Sequence, residues 1–181
     1  MEKFEISLVS ISEKEFYLSP KDNLNINEKY LNLGFGFQFK GKDNSDFIEM
    51  VVSIVYLYKT AKVEKELLKF KTAFEFEVSN LEKFITIDKE INKIDIQDNL
   101  SRIFLSTAIS TTRGMLFYKT AGTYMSKFII PLMDVNHFIE LIKNENISKG
   151  KKISKRNIKN YKTPKPFYLS VYREFLPTIL S

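Results

Sequence analysis

Cysteine and tryptophan are absent from this 181-residue chain, and histidine occurs once, as His137. The first absence excludes disulfides and thiolate metal sites. The lone histidine excludes multi-histidine metal constellations and any His–Cys dyad, so no metal or other cofactor is expected. Long apolar runs are missing too. None approaches the roughly 20 residues that cross a bilayer, so membrane insertion is not expected. The N-terminal stretch MEKFEISLVSISEKEF alternates apolar and polar residues, unlike a secretory signal, and a cytoplasmic location is expected. Glycine is scarce, and the one GxG, Gly34–Gly36, lies inside an alternating segment and opens no helix. It reads as a twist or bulge in a strand rather than a phosphate cradle.

What the chain does contain is aromatic and charged. There are 16 Phe and 9 Tyr residues in a composition that is 44% hydrophobic and 28% charged, enough for one core of ordinary size. The net charge of +6 is unevenly spread. Eight basic residues fall between Lys149 and Lys165 with no acidic one among them, and subtracting them leaves the rest of the chain at −2. The chain therefore divides into a mildly acidic body, 1–143, and a basic tail, 144–181. Residues 149–165 are too basic and too poor in core-forming residues to fold alone. The stretch PFYLSVYREFLP (166–177) differs, because Phe167, Leu169, Val171, Phe175 and Leu176 favour docking on an apolar surface.

Period-two alternation fills the first 80 residues and predicts half-buried strands. Phe4, Ile6 and Leu8 share one face; Leu31, Leu33, Phe35, Phe37 and Phe39 share another. Further strands are expected over 47–60 and 67–78. Short polar connections make the last three an antiparallel meander, whereas the longer link 19–29 calls for a crossover. From Asp95 or Asp98, either a plausible N-cap, the period becomes helical to about Lys119, with Gly122 as the stop. Asp134 is a candidate N-cap for a second, shorter helix, VNHFIELIK. The expected fold is α+β: a four-stranded antiparallel sheet with a crossover after strand one, then one long and one short helix packed on the sheet.

The long helix poses a question. Thr107, Ser110, Thr111 and Gly114 recur at spacings of three and four where Leu, Ala or Glu would serve better, and glycine in a helix costs about 1 kcal/mol relative to alanine. A low-profile stripe permits close approach of a partner, with hydroxyls bonding back to the preceding turn. That partner is either the chain's own sheet or the helix of another subunit.

These parts in this order resemble the SecB export-chaperone family over roughly residues 3–143. The residues carrying the resemblance are Phe4-Glu5-Ile6, Ser19-Pro20, Asn80-Leu81-Glu82, Arg113, Gly122-Thr123-Tyr124, Pro131 and Val135-Asn136-His137-Phe138. The resemblance implies a homotetramer, a dimer of dimers, with the long helices between two eight-stranded sheets and the small-residue stripe at the subunit interface. It also implies a holdase that binds unfolded polypeptide without ATP, in an apolar groove. The candidate lining is Tyr17, Leu18, Leu24, Ile26 and Tyr30 around the crossover, with Tyr124, Phe128, Ile129, Phe138 and Leu141 beyond the long helix. In that family an acidic patch docks the translocation ATPase SecA. The matching positions here are Lys14, Leu18 and Lys69, which argues against SecA docking, although a one-residue slip would bring in Glu13 or Glu15. Relatives serving toxin–antitoxin and phage-defence systems lead instead to a dedicated client such as an antitoxin. The 166–177 stretch would then either compete for the client groove or complete the fold as an extra strand or helix.

Catalysis finds little support. The sole histidine sits beside Phe138, and no carboxylate pair is arranged for acid and base roles, so no enzyme is expected. The competing class is a nucleic-acid binder, its basic tail neutralising phosphates while Tyr161, Phe167 and Tyr168 stack on bases. No nucleic-acid-binding fold accompanies that tail.

Overall fold

Residues of alternating polarity make good strands because each pleat sends neighbouring side chains to opposite faces. The computed structural model describes residues 5–20, 26–41, 45–88, 93–136, 139–140 and 168–171. Its strands are β1 (Ile6–Leu18), β2 (Leu31–Gly41), β3 (Phe47–Lys59), β4 (Glu64–Val78), β5 (Ile85–Asp88), β6 (Lys93–Ile96) and β7 (Tyr168–Val171); its long helix is α1 (Asp98–Thr120). The chain forms two compact units, Met1–Asp95 with Phe167–Ser181, and Ile96–Pro166.

In the first unit the strand order is β1-β4-β3-β2-β7. β2, β3 and β4 form the expected antiparallel meander, and β1 lies against β4, so the link from β1 to β2 crosses over. The register builds continuous rows: Phe35, Ile54 and Phe70 stand in line, and Phe16 meets Phe70 edge-to-face with centroids 5.9 Å apart. One face is buried almost throughout, from Leu31, Leu33 and Phe35 on β2 to Phe70, Phe74 and Phe76 on β4. Tyr56 lies within it, and burial pushes its phenol well above the ordinary range. The other face carries ion pairs: Glu49 with Lys14 and Lys40, Glu15 with Lys69 and Lys71.

Two expectations need correction. The GxG is not a bulge, because β2 and β3 stay in register through Gly34 and Gly36; the irregularities fall between β1 and β4, at Leu8/Ser10 and Glu13/Glu15, and between β3 and β4, at Tyr56/Leu57. Those beside β1 interrupt the alternation but keep Leu8 opposite Phe76 and Ile11 opposite Phe74, and Leu8, Val9 and Ile11 are exposed. Neither Asp95 nor Asp98 caps α1. Gln97 is the N-cap, its side chain making no capping bond to the helix, and Asp98 is the first helical residue, where its charge still complements the helix dipole. The four expected antiparallel strands are present, and Tyr168–Val171 adds a fifth, parallel to β2, the extra strand that is one alternative for this stretch. A further pair, β5 and β6, stands between β4 and α1.

The chain leaves β4 through Asn80, whose left-handed backbone (φ 54°) suits asparagine, and Asp46 Oδ1 accepts the Leu81 N–H at 3.3 Å. In the second unit, α1 buries Leu100, Phe104, Ala108, Thr112, Leu116 and Thr120 at helical spacing. Gly122, at φ +75°, turns the chain as expected of a helix stop. Asp134 does act as a cap: its Oδ1 accepts the Asn136 N–H at 2.9 Å, and residues 135, 136, 139 and 140 are helical.

Candidate functional site

The face of α1 opposite its buried row is the sequence's small-residue stripe. Ser110 and Gly114 are exposed, Thr107 and Thr111 half-buried. A Cβ built on Gly114 would meet nothing within 4 Å, so within one chain the space above this glycine is open. Outside the stripe, two hydroxyls bond back along the helix: Thr120 Oγ1 donates to the Leu116 carbonyl at 2.9 Å and the Phe117 carbonyl at 3.3 Å, and Ser106 to Ile103 at 3.1 Å. The stripe is bordered by apolar side chains that water reaches, Ile103, Phe117 (55% exposed) and Tyr118 (80%).

After Gly122 the chain returns along the end of α1. Ser126, Phe128, Ile129 and Ile130 meet Arg113, Leu116, Phe117 and Thr120 around a shallow cleft. This strap is apolar on both faces. Phe128 and Ile130 are buried, whereas Ile129 (52% exposed) and Leu132 (85%) face water. Lys127 places its ammonium 4.8 Å from the Phe128 ring centroid.

The expected lining residues fall in both units. In the first, Tyr17 and Tyr30 are exposed, Leu18 and Ile26 half-buried; Tyr30 stacks edge-to-face on Tyr58 at 6.2 Å. In the second, Tyr124 is half-buried, Ile129 exposed, and Phe128 belongs to the core. Leu24, His137, Phe138 and Leu141 lie outside the described residues, as do 149–165. The three positions considered for SecA docking do not share a face. Leu18 pairs with Leu68 in the buried-side register, whereas Lys14 and Lys69 are engaged by Glu49 and Glu15 on the other side. Of Glu13 and Glu15, the two residues that a one-position slip would bring in, Glu15 is held between two lysines.

Leu132, Phe117, Tyr118 and the exposed row of β1 were not singled out by sequence reasoning. FIIPLM carries the signal, since its apolar residues occupy both parities of an extended segment. Among the described residues no three His, Asp or Glu side chains group as a metal site, and no helix is long and apolar enough to cross a membrane. In comparisons with known proteins, the chain matches no family model and no curated protein.

Proposed function

We propose that this protein is an ATP-independent holdase of the SecB type, a cytoplasmic homo-oligomer, expected to be a tetramer, that holds non-native polypeptide on apolar surface. The observation that carries this reading is the strap, where the exposed Ile129 and Phe117 line one shallow cleft and Leu132, further along, also faces water. Large apolar side chains left in water on a short segment and on the helix it meets mark a surface meant to be covered. Phe and Tyr suit a surface that binds many sequences, because they contribute by area and stacking rather than by exact identity.

Two coverings divide the surface. The stripe Thr107, Ser110, Thr111 and Gly114 takes the helix of a second copy, for which the open space over Gly114 leaves room. The strap takes the client. The acidic docking patch has no counterpart in Lys14, Leu18 and Lys69, so the client is a dedicated one, such as an antitoxin, rather than exported protein at large. The test is suppression of aggregation of an unfolded model protein without nucleotide. The full chain should protect at near-stoichiometric ratio, and Ile129→Ser with Leu132→Ser should protect markedly less while melting unchanged. A full chain that gives no protection at any ratio would end this reading.

A further inference from the structure

A segment from the far end of the sequence occupies the outer edge of β2. Tyr168 pairs with Asn32, Leu169 with Leu33, Ser170 with Gly34 and Val171 with Phe35. Two features set this contact apart from the rest of its sheet. It is short, four residues against the eleven of β2. It is also parallel, whereas the pairings of β1 with β4, β4 with β3 and β3 with β2 are antiparallel, and parallel ladders are somewhat less stable per residue.

An edge strand offers a row of backbone donors and acceptors, a ready template for any extended chain. The β2 edge adds a simple selectivity. Along Asn32–Phe35 its residues alternate between small or polar (Asn32, Gly34) and large and apolar (Leu33, Phe35), and the register sets Leu169 and Val171 opposite the apolar pair. Gly34 is buried and stays in register with Val55 on one side and Ser170 on the other, so the ladder runs through it without a bulge. Backbone pairing supplies affinity and alternate positions supply preference, which is how strand addition recognises peptides.

We propose that the β2 edge is an acceptor for an extended polypeptide with apolar residues at alternate positions, and that Tyr168–Val171 is its resident occupant, displaced when a client strand pairs in its place. This rests on the holdase reading and gives it a binding mode. A tethered occupant works at an effective concentration on the order of mM, so it screens out weakly pairing segments.

The test uses a fluorescein-labelled peptide of residues 166–177 and the full chain. Leu169→Pro with Ser170→Pro removes whichever of these two N–H groups faces β2 and should let the peptide bind at least about tenfold more tightly than it binds the unaltered chain. Equal affinity would show that the segment does not occupy the site, and would overturn the proposal. On the unaltered chain, N-methylation of the peptide at Leu169 or at Ser170 should have unequal effects, because only alternate N–H groups face a neighbouring strand. One peptide should lose about tenfold and the other less than about twofold. Equal behaviour of the two N-methyl peptides would also overturn it. Aggregation suppression separates this from the parent reading. A chain that protects but treats both N-methyl peptides alike loses only the edge site. A chain that discriminates them without protecting keeps the acceptor edge and loses the holdase.

Discussion

In β3, alternate residues from Ile48 to Tyr58 are buried, and Glu49 on its other face is neutralised by lysines. α1 also has a buried row, from Leu100 to Thr120, but its other face is a stripe of Thr, Ser and Gly bordered by Ile103, Phe117 and Tyr118 in water. The strap repeats the contrast at shorter range, with Phe128 and Ile130 buried and Ile129 and Leu132 exposed. The difference separates two uses of apolar residues. On the buried face of β2, β3 and β4 they make a stable scaffold, with ion pairs on the other face, and the exposed apolar residues of that unit fall on β1 and at strand ends. On the helix and strap they alternate with buried neighbours and remain in water. Substitutions in the first group should therefore move stability, and substitutions in the second should move association.

The largest effect should come from the sheet. Phe74 is fully buried and its ring stacks beside Phe76 at 6.4 Å, so Phe74→Ala should cost about 3–5 kcal/mol in denaturant unfolding of the full chain. Next is Gly122, held at φ +75°, where Gly122→Val should cost about 1–2 kcal/mol through backbone strain. A change of that size at Gly122 with none at Phe74 would invert the contrast. Thr120→Val removes the hydroxyl bonded to Leu116 and should cost about 1 kcal/mol.

Gly114→Leu is the sharpest case because its two effects oppose each other. In one chain the site is open, and replacing a helical glycine should stabilise α1 by up to about 1 kcal/mol. At a subunit seam the same side chain should overpack and shift the protein to smaller species in light scattering. A stabilised variant with unchanged mass would place the seam elsewhere. The smallest effect should be that of Lys69→Ala, which breaks a surface pair with Glu15 at 3.3 Å and should change stability by less than about 0.5 kcal/mol.

Much of the scaffold is legible in sequence because burial on one face forces period two. Leu31 to Phe39 and Leu68 to Val78 mark their strands without ambiguity. β1 is harder, since two register shifts move its apolar residues off a single parity. The β5–β6 pair is only four residues a strand, too short for a period to emerge from ITID and KIDI. β7 depends on pairing with a strand at the opposite end of the chain, and no local pattern distinguishes that from docking in a groove. Gln97 displaces the aspartates as N-cap because local propensity cannot see where the β6 strand delivers the chain. As for the candidate site, Gly114 announced an open, low-profile face, whereas Leu132 needed the structure, since a leucine beside proline reads equally well as core.

Site-specific photo-crosslinking to an unfolded client tests the central claim most directly. A benzophenone side chain is placed in turn at Leu132, at Ile129 and at Lys71, which lies on the charged face of the sheet. The account predicts strong client adducts from Leu132 and Ile129 and background from Lys71. Adducts from Lys71 equal to or stronger than those from the strap would contradict it.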